Sequence, residues 1–264
     1  MPNGAGDSVN GSTALLAPDE RSVAIVLNPG AVSPFLLLGD HAGREIPRSL
    51  AGLGLPKPAL DRHIAWDIGI AAYGALLSRA LDAAFIRQRF SRLVIDCNRD
   101  PSRPDAVPEV SDDVEIPGNL ALSADARHAR VAEVARPYHA AIAAELDRRV
   151  ARGLPTTLIS LHSFTPRMNG LDRPWRFGVL HADDSPYSRA ILDRLRAELG
   201  QDLVGDNQPY RMDEVDFTVP VHAGRRGLDY LELEVRQDLL ADAAGQAEIA
   251  ALVARLLPAA LADL

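Results

Sequence analysis

The sequence predicts an α/β fold, a β-sheet with helices on its faces. Three observations predict it: short β-rich runs recur along the chain, longer stretches of helical periodicity separate them, and chemically capable polar residues stand where the apolar runs end. The β-rich runs are 22–27, 35–39, 84–88, 92–96, 156–161, 176–180 and 228–235. Between them, helical spacing covers 59–81, 123–151, 186–199 and 246–257. In the second of these, Val131, Val134, Tyr138, Ile142 and Leu146 form one apolar stripe, which Pro137 is expected to kink.

Size and charge narrow the function. The chain has 264 residues, 47% of them apolar and 5% aromatic, enough for one domain of roughly 200 to 250 ordered residues over 21–264. The first 20 residues, rich in Gly, Ser, Asn and Asp, are expected to be a disordered tail and do not read as a signal peptide. A formal net charge of −8 disfavours nucleic acid as a partner. Pro, Arg or Asp interrupts every apolar run before the roughly 20 residues that cross a bilayer, so no membrane partner is expected. The single cysteine, Cys97, permits no internal disulfide and fits a cytoplasmic protein. Segment 100–119, polar and rich in Pro, Asp and Ser, is too long for a plain connector and is expected to carry function or be disordered.

The candidate chemistry lies at strand ends. His41 follows the run Phe35-Leu36-Leu37-Leu38, and His162 follows Leu158-Ile159-Ser160-Leu161, so both imidazoles would emerge where α/β sheets place ligands. Imidazole is the commonest metal ligand, and a catalytic zinc takes three protein ligands with a fourth position open. For the third ligand, Glu45 lies four residues after His41, while His63 and Asp67 are spaced i, i+4 on a predicted helix face. Glu45 also reads as a solvated first-turn acid, and Asp67 as support for a ligand rather than a ligand. His128 and His139 read as surface residues of a helix, and His181 and His222 lack a clear partner.

Glu234 lies on a late strand whose period of two sets Tyr230, Glu232, Glu234 and Arg236 on one face. It is a candidate acid/base beside a metal-activated water, or else part of a solvated edge face. Arg92 and the pair Asn98-Arg99 flank the run 92–96, and Arg99 with Asn98 could hold a substrate carboxylate. An internal ion pair of Arg99 with Asp96 or Asp100 is the competing reading.

Longer motifs point further. The run from Ser91 to Pro101, the His41-Ala42-Gly43 turn, Asp61-Arg62-His63, Ile116-Pro117-Gly118-Asn119, Pro137-Tyr138-His139 and His162-Ser163-Phe164-Thr165-Pro166 together resemble the N-formylglutamate amidohydrolases, from about Phe35 to about Leu240. The chain is also distantly similar to the zinc carboxypeptidase and aspartoacylase group. These resemblances imply a three-layer sandwich with a mixed β-sheet flanked by helices. They also imply a zinc-dependent hydrolase that frees formate, or another small acyl group, from an N-acylated acidic amino acid.

In the carboxypeptidase pattern, His41 and His162 resemble two zinc ligands, and Leu233-Glu234-Val235-Arg236 resembles the segment bearing the general base. Asn98-Arg99 resembles the pair that grips a substrate carboxylate. Position 44 departs: Arg44 stands where that pattern has its glutamate ligand, which leaves Glu45, His63 or Asp67, and leaves iron or manganese beside zinc as the metal. A dianionic substrate needs a second cation, for which Arg92, Arg103, Arg173 and Arg176 are candidates.

Overall fold

The structure, a computed structural model, describes residues 14–182, 185–212 and 216–264. Eleven strands are described: β1 Ala24–Leu27, β2 Phe35–Gly39, β3 Ala84–Gln88, β4 Val110–Ser111, β5 Val114–Glu115, β6 Thr157–Phe164, β7 Arg167–Met168, β8 Leu171–Asp172, β9 Phe177–Leu180, β10 Val204–Asp206 and β11 Asp229–Arg236. The α-helices are α1 Lys57–Leu60, α2 Ile70–Leu81, α3 Ala124–Arg130, α4 Arg136–Ala151, α5 Pro186–Leu199, α6 Thr218–His222 and α7 Ala243–Leu261.

Seven strands form one mixed sheet in the order β1-β3-β2-β6-β11-β9-β10. Strands β3, β2, β6 and β11 run parallel, while β1 at one edge and the β9-β10 pair at the other are antiparallel to them. Parallel central strands are covered on both faces, which is why β2 and β6 are buried along their whole length. On one face Leu37, Phe85, Leu161 and Leu233 pack with α2, α5 and α7. On the other, Leu36, Leu38, Ile86 and Leu158 meet the stripe Val134, Tyr138, Ile142 and Leu146. Each such side chain contributes about 2 kcal/mol. The mixed sheet between two helical layers is the three-layer α/β sandwich that the sequence predicts.

Four expectations need correction. The run 92–96 is not a strand; Arg92, Leu93 and Val94 form a turn, and the buried Leu93, Val94 and Ile95 pack as an irregular segment. Its β-branched residues signalled burial, and the pattern could not separate burial from pairing. The helix expected over 59–81 is interrupted between α1 and α2, so His63 and Asp67 do not share a helix face. The helix expected over 123–151 is not uniform: a π-helical turn over Val131–Ala135 separates α3 from α4, and Pro137 stands in the first turn of α4. Finally, α7 spans 19 residues and is apolar and long enough to cross a membrane by length and composition, against expectation. Here it packs into the core through Ile249, Val253, Leu256 and Leu257.

Of the expected tail, residues 1–13 lie outside the described residues. Leu15 and Leu16 are buried, and both backbone amides donate to the Glu133 carboxylate at 2.9 Å. Segment 100–119 is ordered, with two 3-10 turns and the β4-β5 hairpin, and it walls a cavity through Asp105, Pro108 and Asp112. Arg130, buried to 1% exposure, ties that wall to the core by donating to Val94 O, Asn119 Oδ1 and Gly118 O at 2.6–3.0 Å.

Candidate metal centre and cavity

The cavity, of about 430 Å³, opens at the C-terminal ends of the parallel strands. His41 enters it just after β2, where the chain turns through Ala42 and Gly43. That turn needs glycine, because a Cβ at Gly43 would lie 2.2 Å from Arg89 O. His162 points in from β6, and Glu234 stands beside it in register on β11. Gly178 faces Glu234 from β9; a side chain there would collide with Gln208 O and crowd the Glu234 stem. Asp67 arrives from the excursion between α1 and α2, docked by its own N–H donating to His41 O at 2.8 Å.

Asp67 Oδ2 is the focus of the cluster. It accepts from Ser163 N at 3.1 Å, lies 3.1 Å from His162 Nδ1 and lies 3.6 Å from His41 Nδ1. Ligating atoms of His41, Asp67 and His162 fall within 4.8 Å of one another, and all three residues are buried. The other edge of each imidazole is held. His41 Nε2 is 2.7 Å from Asp96 Oδ1, and His162 Nε2 is 3.1 Å from Ser160 Oγ. A carboxylate acceptor places the His41 proton on Nε2 and leaves the Nδ1 lone pair aimed at the cluster. His41 Nδ1 is buried and has no hydrogen-bond partner among the described residues. An orphaned acceptor beside a second imidazole and a carboxylate fits a divalent cation, and this mixed donor set is one that zinc accepts.

Electrostatics agree. Burial disfavours charge on all these groups, yet His162 is pushed up to about 10, because the Asp67 hydrogen bond and the nearby carboxylates Glu232 and Glu234 outweigh desolvation. His41 is raised too: burial and Arg92 oppose its charge, but Asp96 and Asp67 prevail. Despite burial, Asp67 and Asp96 are held below the usual carboxylate range, Asp67 by the two imidazoles and Asp96 by Arg92 first and then His41. The cluster demands positive charge. Glu234 differs: burial pushes it up to about 7 against the pull of His162, and its Oε2 has no partner among the described residues. Glu232, also buried and facing the cavity, is pushed well above the carboxylate range by desolvation.

The structure thus brings His41, Asp67, His162, Glu234, Arg92, Asn98 and Arg99 to one cavity. Glu45 is elsewhere: its exposed side chain pairs with Arg89 at 2.8 Å, outside the cluster of His41, Asp67 and His162. His63 reaches the rim, 3.4 Å from Asp112, and stays out of the cluster. Strand β11 is interior, between β6 and β9, which rules out the solvated-edge reading of Glu234. Arg92 is engaged with Asp96 at 2.6 Å and Asp67 at 3.5 Å, holding the acids in place. Arg103 is half-buried and pairs with Asp105 at 2.9 Å, and Arg173 stacks on Tyr210 at 4.9 Å.

Arg99 pairs with Asp216 rather than with Asp96 or Asp100, and Asn98 Nδ2 donates to the same Asp216 oxygen. Sequence reading missed Asp96 as the partner of His41, and missed Asp216, Glu232 and Arg211 in the cavity lining. His139 is not the surface residue expected. It stacks on buried His222 with 5.3 Å between centroids, and His139 Nδ1 lies 3.0 Å from His222 Nε2.

The family model for N-formylglutamate amidohydrolase matches residues 33–241. The chain belongs to the N-formylglutamate amidohydrolase family. Every residue that converges on the cavity lies within the matched span. The crystal structure of the gene product Atu2144 from Agrobacterium tumefaciens is 37% identical to this family member, with a TM-score of 0.90 over 94% of this chain and 98% of that one. The crystal structure of N-formylglutamate amidohydrolase from Ralstonia eutropha shares the fold at 18% identity, with a TM-score of 0.67 over 92% of this chain and 99% of that one. None of the curated proteins searched matches it in sequence. Membership in this amidohydrolase family supports a hydrolase.

Proposed function

We propose that this chain is a metal-dependent amidohydrolase that releases formate, or another small acyl group, from the nitrogen of an acidic amino acid such as N-formylglutamate. One observation carries the reading: the three-donor cluster of His41, Asp67 and His162 shares its cavity with Glu234, a buried carboxylate with an unpartnered oxygen. In this reading those three residues hold zinc, with iron or manganese also compatible with the donors. When bound, such a cation would polarise the acyl oxygen and make water more acidic.

The chain's own groups supply the rest. Glu234 takes a proton from the attacking water and delivers it to the departing nitrogen as the acyl C–N bond breaks, giving formate and the free amino acid. A carboxyl that titrates near neutrality suits both halves of that exchange. Asn98 Nδ2 and the Arg99 guanidinium, both lining the cavity, clamp one substrate carboxylate. Arg211, exposed at the cavity wall, meets the second. Segment 100–119 supplies part of the cavity wall through Asp105, Pro108, Ser111 and Asp112.

The test is formate release by metal-loaded protein from N-formyl-L-glutamate, compared with N-acetyl-L-glutamate and with N-formyl amino acids that lack a side-chain carboxylate. N-formyl-L-glutamate should give the highest kcat/KM. Failure to release formate from any N-formyl amino acid would end the proposal, and faster cleavage of longer acyl groups would reassign the substrate.

A further inference from the structure

The clamp proposed for the substrate carboxylate already holds a carboxylate of this chain. Asn98 Nδ2 donates to Asp216 Oδ1 at 3.3 Å, and Arg99 Nη1 donates to the same oxygen at 3.4 Å. The amide orientation of Asn98 is settled by its other end. Its Oδ1 accepts from Phe217 N at 3.1 Å and Thr218 N at 2.9 Å, so its NH2 group must face Asp216. Asn98, Arg99 and Asp216 all line the cavity that holds the donor cluster. The side chain of Asp216 therefore takes, from inside the cavity, the contacts an incoming carboxylate would need.

The geometry points to Asp216 as a specificity-determining residue, an internal carboxylate that an anionic substrate must displace from the Asn98-Arg99 clamp. This rests on the clamp assignment in the proposed function. Displacement turns the Asp216 side chain away from the two donors. The backbone on the far side of Asp216 stays anchored, because Asn98 Oδ1 keeps hold of Phe217 N and Thr218 N at the start of α6. A neutral ligand offers the two donors too little to repay the loss of a charge-assisted pair, whereas a carboxylate replaces it like for like. The clamp thus selects for anions, and binding is weakened by the fraction of molecules in which Asp216 is seated.

The experiment measures L-glutamate binding by calorimetry and the KM for N-formyl-L-glutamate, both on metal-loaded protein. Asp216→Asn removes the charge while keeping the shape. It should tighten L-glutamate binding roughly 5- to 20-fold and lower KM in parallel, with no gain for the corresponding carboxamide. Asp216→Ser should act in the same direction and serves if the first variant folds poorly. Unchanged or weaker L-glutamate binding in a folded variant would overturn the inference, since Asp216 would then brace Arg99 for the ligand rather than compete with it. Arg99→Gln separates this from the underlying reading: if it binds L-glutamate as tightly as the parent, the clamp assignment itself fails.

Discussion

Replacing Asp96 by Asn should weaken metal binding even though Asp96 is not among the proposed ligands. The carboxylate of Asp96 meets donors on every side: His41 Nε2 at 2.7 Å and Asn98 N at 2.9 Å on Oδ1, and Arg92 Nη2 at 2.6 Å on Oδ2. An amide has one acceptor oxygen, so Asp96→Asn must set its NH2 group against a donor. With that group on the Oδ1 side, His41 is driven to the other tautomer, and the proton now on Nδ1 blocks the lone pair that faces Asp67. With it on the Oδ2 side, Arg92 loses its nearer partner and is left with Asp67, 3.5 Å away. In both cases the negative charge that favours a nearby cation is gone. Loss of such a supporting carboxylate costs about 10- to 100-fold in metal affinity, or about 1.4–2.7 kcal/mol. Competition with a chromophoric chelator for zinc, on protein stripped and reloaded, reads the effect directly. Affinity within about two-fold of the parent, in a variant with an unchanged melting temperature, would refute the tautomer argument.

Three further outcomes are expected. Glu234→Gln should retain its metal and lower kcat by about 10²- to 10⁴-fold, and the acid limb of the parent's pH–rate profile should vanish with it; unaltered turnover would remove Glu234 from the reaction. The His139-His222 pair, in which His222 is buried, should make the fold acid-sensitive. Burial first and His139 second pull His222 down to about 4, so the unfolded chain takes up a proton near pH 6.5 that the folded chain refuses. The contribution of His222 to stability is then complete above about pH 6.5 and falls by up to about 3 kcal/mol as pH drops toward 4; His222→Gln should flatten that part of the denaturation curve. Arg130→Met should destabilise the fold by about 3 kcal/mol in urea titrations, because it leaves Val94 O, Gly118 O and Asn119 Oδ1 buried without their donor.

The residues explain how much of this could be read in advance. His41 was legible because an apolar run that ends in a histidine marks a strand end in an α/β sheet; the same signal found His162, although β6 runs on to Phe164 and His162 lies within the strand; and Glu234 was legible because period-two alternation put it on the same face as Glu232. Asp67 was legible as a candidate for a reason that proved wrong. It reaches the cluster through a break in the expected helix, held by a backbone bond to His41 O that no periodicity encodes. Glu45 shared the sequence proximity of Asp67 to a histidine, but its side chain is taken by Arg89, 44 residues away.

Asp96 was seen only as a possible partner of Arg99. Its contact with His41 spans 55 positions of chain and exists only once the sheet has formed. Asp216 likewise meets Asn98 across 118 positions. Local pattern reports burial and period; the pairing of polar groups around a cavity is a property of the closed fold.

The central claim is that His41, Asp67 and His162 together hold one divalent cation. Elemental analysis of the purified protein, with X-ray absorption to identify the donor atoms, tests it most directly. The account expects close to one metal ion per chain in a mixed imidazole and carboxylate environment, with most of the metal lost in His41→Ala, His162→Ala and Asp67→Ala. A parent protein that holds no metal after exposure to zinc, iron or manganese, or variants that bind it as tightly as the parent, would contradict it.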